Sequence, residues 1–320
     1  MLVRPFHRAT AFALLAFSFT ACANGPTAIT KRPERAAFNV NGEGDQASDA
    51  AHRDLALVRD TLLAADRAWA AIGAQTNLVE ALAGPMASDG IFLAPGTTFL
   101  RGPDAVRTFL NTNPANKTAK WRSMVIRADV SSDGRQGYTY GYSEQELSTG
   151  TILPGKYQAY WSRQSDGSWK MAAFKRVARA PGAVSLTPPA GFETPTTRHR
   201  RYYPNTEPES ELTELFAVDV AFSDAAQFGE ADAFAAFAAP DGAQTGGSNM
   251  ASWAFGPEAI RAAHPAAPVA FTWAPALGTV ATSGDLGFTV GFIYSGATAV
   301  SKYFTVWQKQ PNGQWRYVAD

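Results

Sequence analysis

Two stretches of this chain repeat one another, and the repetition constrains the fold more than composition does, because a duplicated pattern of this length must fold one unit twice. Gly102-Pro103-Asp104-Ala105-Val106-Arg107 is answered by Gly256-Pro257-Glu258-Ala259-Ile260-Arg261. Asp66 stands 36 residues before the first of these words, and Asp219 stands 37 before the second. Further on, Gly137-Tyr138-Thr139-Tyr140-Gly141-Tyr142 is answered by Gly287-Phe288-Thr289-Val290-Gly291-Phe292. Tyr157, Trp161 and Trp169 are then answered by Tyr303, Trp307 and Trp315, with gaps of 4 and 8 in both copies. Rare aromatic residues do not keep such spacing by chance.

Length agrees with two units. The 320 residues, 46% hydrophobic and 18% charged, are enough for about two domains of roughly 150 residues, each with its own core. Lys+Arg 28 equals Asp+Glu 28, so no net field gathers nucleic acid and none is expected as a partner. Between the copies, Pro181, Pro188, Pro189, Pro195, Pro204 and Pro208 deny the backbone helix continuation and ladder donors. The expected organisation is therefore a first domain over 54–180, a Pro-rich linker over 181–208 and a second domain over 209–320. Arg198-His199-Arg200-Arg201 in the linker is a solvated charged run or a binding patch.

The first 22 residues have the three parts of a secretion signal: Arg4, His7 and Arg8, an apolar run from Ala9 to Phe19, and small residues around Ala21. Cys22 is the only cysteine. Phe19-Thr20-Ala21-Cys22 resembles the lipobox of bacterial lipoproteins, with Phe19 where leucine is usual; that resemblance implies lipidation at Cys22. The competing reading is ordinary cleavage after Ala21-Cys22-Ala23, which satisfies the small-x-small rule. Either way the expectation is export to a bacterial cell envelope, lipid-anchored or periplasmic, with membrane contact only through a lipid anchor. Residues 23–53 have the composition of a flexible tether.

Each copy opens with helical periodicity: Leu55, Val58, Leu62, Ala65 and Trp69 in one, Leu212, Leu215, Val218 and Phe222 in the other. A shorter helix follows in each (78–86 and 231–238), then a turn region ending at Gly-Pro, where proline suits the first turn of a third helix. Trp121 to Val130, Gln136 to Leu147, Tyr157 to Gln164 and Trp169 to Val177 alternate as strands, divided by Ser132-Asp133-Gly134 and Ser165-Asp166-Gly167. Helices that must cover one face of a curled meander give an α+β fold. The expectation is two tandem cone-shaped domains, each of three helices packed on a curved antiparallel sheet.

The Gly-Pro-x-Ala-Ile/Val-Arg word, the Gly-Tyr/Phe-Thr-x-Gly strand and the Tyr-x-x-x-Trp-x-x-Gln-x-x-Gly-x-Trp ending resemble the SnoaL-like branch of the nuclear transport factor 2-like superfamily. The resemblance covers roughly 54–180 and 209–320. It implies isomerases, dehydratases, polyketide cyclases or binding and scaffold domains, and fold alone does not choose among them. Enzymes of that kind use a pocket Asp as general acid or base, with Tyr or His stabilising an enolate.

On that basis Asp66, Tyr138, Tyr140 and Glu144 are the catalytic candidates. Tyr138, Tyr140, Tyr142, Glu144 and Glu146 share one strand face and either line a pocket wall or lie as amphipathic sheet residues. Asp66 and Asp219 either act inside the cones or are helix-surface or capping carboxylates. Trp69, Trp121, Tyr157 and Trp161 in the first copy, and Phe222, Trp273, Tyr303 and Trp307 in the second, are candidate linings of a small-molecule pocket, or core. Lys156 and Lys302, each beside a tyrosine, can meet an acidic ligand headgroup. His52, His199 and His264 lack ligand-spaced partners, so no metal site and no cofactor are expected. The leading expectation is non-catalytic binding of a small apolar or amphipathic ligand, with the cones packed as an internal pseudo-dimer or forming a homodimer. The rivals are acid/base catalysis in the first copy and a structural adaptor using its sheet faces.

Overall fold

The computed structural model describes residues 43–192, 207–246 and 249–320, with side chains from residue 54 onward. The expected signal segment, Cys22, the tether up to residue 42 and the basic cluster Arg198–Arg201 lie outside the described residues. In the first half, α1 (Glu43–Gln75), α2 (Leu78–Ala83), β1 (Met86–Phe92) and β2 (Leu100–Arg101) precede α3 (Gly102–Asn111), β3 (Lys120–Val130), β4 (Gln136–Glu146), β5 (Ile152–Arg163) and β6 (Trp169–Ala178). The second half runs α4 (Pro208–Ala226), α5 (Glu230–Phe237), β7 (Ala238–Gln244), β8 (Ala254–Phe255), α6 (Gly256–Ala263), β9 (Thr272–Val280), β10 (Leu286–Ser295), β11 (Thr298–Lys309) and β12 (Trp315–Ala319).

Each half builds one six-stranded sheet, in the orders β2-β1-β6-β5-β4-β3 and β8-β7-β12-β11-β10-β9. The four-stranded antiparallel meander is as the sequence predicts. The sheets are nevertheless mixed: β1 and β7 join parallel to β6 and β12. These strands fall in segments expected as turns, because Ser88-Asp89-Gly90 and Pro240-Asp241-Gly242 punctuate them; a register shift on each strand absorbs the punctuation. Helix α1 also departs from expectation, starting at Glu43 inside the segment assigned to the tether. That stretch has no proline, and Ala47, Ala50 and Ala51 favour helix.

The repeated words now have physical causes. Gly102 and Gly256 sit at φ 73° and 77°, left-handed positions that glycine adopts without steric cost, and Pro103 and Pro257 follow in the first helical turn. Gly137 and Gly287 lie where a Cβ would stand 2.6 Å and 3.1 Å from the side chains of Leu62 and Leu215, so the opening helix approaches the sheet closely in both halves.

Three apolar clusters hold the molecule. One fills the first cone around Trp69, Trp121, Trp161 and Phe174, and one fills the second around Phe222, Trp273, Trp307 and Tyr317. The third lies between the two sheets and draws Tyr138, Tyr140 and Tyr160 from one and Phe288, Phe304 and Val306 from the other. Polar bonds across this seam are reciprocal. Asp285 accepts from Ser132 N and Oγ at 3.0 and 2.6 Å, while Asp133 accepts from Thr282 Oγ1 and Ser283 N at 2.5 and 3.2 Å. Lys156 donates to the Thr245 carbonyl and Lys302 to the Thr98 carbonyl. Arg127, fully buried, pairs with Asp241 and donates to its carbonyl at 2.8 Å.

Candidate functional site in the two cones

Alternation along β4 divides the sequence-predicted residues between two faces. Thr139 points into the first cone with Tyr157, Ala159 and Trp161 of β5, while Tyr138, Tyr140 and Tyr142 face the second sheet. Of the four catalytic candidates, only Asp66 is inside the cone. Tyr138 and Tyr140 lie across the sheet from it, and Glu144 sits half-buried near the end of β4. The set does not converge. Lys156 and Lys302 turn away from the cone aromatics and bind carbonyls of the opposite repeat.

Asp66 is 1% exposed and Asp219 0%, which overturns the helix-surface reading of both. The Tyr157 hydroxyl donates to the Asp66 carboxylate, 2.9 and 3.0 Å from its two oxygens, and the Tyr303 hydroxyl donates to Asp219 at 2.7 Å. Trp161 Nε1 donates to Thr139 Oγ1 at 2.8 Å, and Trp307 Nε1 to Thr289 Oγ1 at 2.9 Å. Burial pushes the Asp66 carboxyl up to about 6, against hydrogen bonds from Thr139 and Tyr157 that lower it. Asp219 is likewise pushed up to about 6 by burial, against bonds from Tyr303, Thr289 and Trp273. Burial, then the neighbouring carboxylate, raises both Tyr157 and Tyr303. Each cone thus holds one Asp–Tyr–Thr–Trp network. Thr139 and Thr289 escaped the sequence reading although both stand in the repeated Gly-x-Thr-x-Gly strand.

The eight residues expected to line pockets lie inside the cones, four in each, and pack on one another. The Trp69 ring centroid lies 5.4 Å from those of Trp121 and Tyr157 and 5.8 Å from that of Phe174; Phe222 lies 4.8 Å from Trp273 and Phe234. One difference stands out. Trp273 Nε1 donates to Asp219 at 3.1 Å, whereas the buried Trp121 Nε1 has no partner among the described residues.

Beside the first cone lies a groove of about 590 Å³ between α1, α2 and the β5–β6 turn. Ala64, Ala68 and Ile72 of α1 form one wall, Pro85 closes one side, and Trp161 and Trp169 contribute to the floor. Trp69 Nε1 donates to the Ala81 carbonyl at 2.7 Å and Trp169 Nε1 to Thr61 Oγ1 at 3.0 Å, which fixes both indoles. In the second repeat the ladder position of Met86 belongs to Ala238, so Pro85 corresponds to Phe237. That ring stacks on Phe222, centroids 4.9 Å apart, over the position of Trp69. Among the described residues no three His, Cys, Asp or Glu side chains gather as a metal-binding group, and no helix is long and apolar enough to cross a membrane. His264 stacks on Phe234 and bonds Glu230.

No protein-family model matches the chain, and no curated protein matches it. Solved structures do. A protein from Catenulispora acidiphila is 18% identical, covering 40% of this chain and 95% of its own, with a TM-score of 0.33. A ketosteroid isomerase-like protein from Erwinia carotovora atroseptica is 18% identical over 40% of this chain and 98% of its own, TM-score 0.30. A nuclear transport factor 2-like protein with a cystatin-like fold from Novosphingobium aromaticivorans is 13% identical over 45% of this chain and 95% of its own, TM-score 0.32. Each half is a helix-covered six-stranded sheet with the same strand order, so the α+β cone is built twice in tandem.

Proposed function

We propose that the chain is an exported, lipid-anchored envelope protein that binds a small apolar or amphipathic ligand without transforming it. The groove beside α1 carries this reading: it is concave, of ligand size, floored by fixed indoles and walled by small apolar side chains. Two other observations support it. The cone interiors are occupied by their own aromatic side chains, so a ligand is taken at the flank. The sheet faces are buried against each other, which leaves the second repeat as a built-in partner and removes the surface that an adaptor would use.

The catalytic reading keeps one supporting observation, the raised carboxyl of Asp66 against a tyrosine hydroxyl. A general base must reach a substrate proton, and Asp66 is 1% exposed with its carboxylate held by the Tyr157 hydroxyl.

Fluorescence titration with N-phenyl-1-naphthylamine tests the groove. Saturable binding to the full-length protein, lost in Pro85→Phe and unchanged in Asp66→Asn, is the expected result. No saturable binding, or equal binding by Pro85→Phe, overturns it. Export and anchoring are tested separately by labelling cells with radioactive palmitate. Label in the wild type but not in Cys22→Ser is expected, and an unlabelled wild type overturns the anchor.

A further inference from the structure

At the end of the first sheet nearest the groove, two like charges face each other. Arg163 N donates to the Arg135 carbonyl at 2.8 Å, extending the β4–β5 ladder by one step. Arginines directly opposite on a ladder repel, and among the described residues neither guanidinium has a hydrogen bond or ion pair. Arg163 Nη2 lies 3.9 Å from where a Cβ on Gly167 would stand. Together with Gln164, Ser165 and the turn glycines Gly134 and Gly167, the pair lines a cleft of about 600 Å³. Asp133 also borders the cleft, but both its oxygens are taken: Oδ1 by Ser131 Oγ at 2.5 Å and Arg135 N at 3.0 Å, Oδ2 by Thr282 Oγ1 and Ser283 N.

The second repeat shows how the same position is neutralised. There the equivalent ladder bond joins Lys309 N to the Asp285 carbonyl at 2.8 Å, so the opposed residues carry opposite charges. Lys309 Nζ is further held by Glu211 at 2.6 Å and Glu214 at 3.1 Å, both on α4. With Asp66 matching Asp219, the residues of α1 at those two points are Val58 and Thr61. The first repeat therefore keeps the cation of β5, gains a second and lacks the two glutamates that hold Lys309. Two exposed cations on one ladder step repel weakly in water, and an anion between them relieves that repulsion.

We infer that the Arg135–Arg163 cleft is an oxyanion site, which takes a carboxylate or phosphate group between two guanidinium forks. Cleft and groove share Gly167 as a lining residue, so one amphiphile can place its anionic head on the arginines and its apolar part along α1. The head-group assignment rests on the ligand-binding reading above; the oxyanion site does not.

Isothermal titration of the full-length protein with inorganic phosphate, dodecyl phosphate and dodecyl maltoside separates the two. In the wild type, dodecyl phosphate is expected to bind roughly tenfold or more tightly than in R135Q/R163Q, with added salt shrinking the difference. Dodecyl maltoside should bind both proteins alike. Equal binding of dodecyl phosphate by wild type and double variant overturns the oxyanion site. Binding of inorganic phosphate that the double variant loses, with no gain from the dodecyl chain and no dodecyl maltoside binding, upholds the site and overturns the groove. The substituted side chains are exposed, and an unchanged circular dichroism spectrum shows that the variants fold.

Discussion

The two repeats differ less in their interiors than on one flank. Inside, both keep a buried Asp bonded to a Tyr on the third meander-facing strand position, a Thr bonded to a Trp, and a ring at the helix position three residues after the Asp. On the flank, the first repeat has Pro85 and two uncompensated arginines, where the second has Phe237 stacked on Phe222 and a lysine held by two glutamates. Packing inside a cone tolerates little change in volume or polarity, so the shared network describes what the fold requires. The flank is free of that requirement, and its divergence marks where one copy has been opened and the other closed.

If the interiors are equivalent, matched truncations must cost the same. Trp161→Ala and Trp307→Ala each remove a fully buried indole and leave a threonine hydroxyl without its donor. Each should destabilise by about 3–5 kcal/mol, read as a shift in the urea midpoint at unchanged slope. A cost for one variant less than half that of the other would break the equivalence. The buried acids give the next effect. Their folded pKa is raised from 3.8 to about 6, so the folded state binds the proton more tightly than the unfolded chain does. The stability from each group is full below pH 3.8 and is lost as pH rises through about 6. Each carboxyl therefore disfavours the fold at pH 8 by on the order of 3 kcal/mol relative to pH 4. Asp66→Asn and Asp219→Asn should each flatten the pH dependence and raise stability at pH 8. A wild type equally stable at pH 4.5 and 8 would refute this account of both cones.

The reciprocal turn bonds across the seam come third. Asp285→Ala strands the Ser132 N–H and hydroxyl, and Asp133→Ala strands those of Ser283 and Thr282. The stranded donors are part-buried or, for the Thr282 hydroxyl, exposed. Each variant should therefore lose no more than about 1–3 kcal/mol, the cost of a fully buried unmet donor, and the two should lose similar amounts in thermal or urea unfolding. Markedly unequal losses would show that the seam is not symmetric in energy, whatever its geometry.

Much of this architecture was legible in the residues because glycine, tryptophan and the Gly-Pro word occupy positions with few chemical substitutes. Gly102 must adopt a left-handed φ, and Trp161 must meet Thr139, so both recur with their spacing. The parallel strands β1 and β7 were hidden, since Ser88-Asp89-Gly90 reads as a turn until β6 supplies a partner. The buried state of Asp66 was hidden for a related reason: helical periodicity places a carboxylate on a face but cannot say whether a tyrosine 91 residues later will be there to bond it. Tyr138 and Tyr140 were legible as one face of a strand. Which face looked inward was set by the packing of the second sheet, a long-range fact absent from the strand itself. The groove and the arginine pair needed the comparison of both copies, because neither Pro85 nor Arg163 signals anything until Phe237 and Lys309 stand beside it.

The smallest effect sharpens the comparison most. Thr61 occupies the point of α1 that corresponds to Glu214 of α4, and its hydroxyl accepts from Trp169 Nε1, whereas the matching Trp315 Nε1 has no partner among the described residues. Thr61→Glu would give Arg163 the kind of acid that Lys309 already has and would remove that indole bond, making the first flank resemble the second. Exposed ion pairs contribute about 0–1 kcal/mol, so the expected change in stability is under about 1 kcal/mol in either direction. The expected change in ligand behaviour is larger: an internal carboxylate competes with any external oxyanion, and phosphate binding should fall while the urea midpoint hardly moves. If Thr61→Glu leaves phosphate affinity intact, the missing acid is not what distinguishes the two flanks, and the divergence at that position is a change of packing rather than of charge.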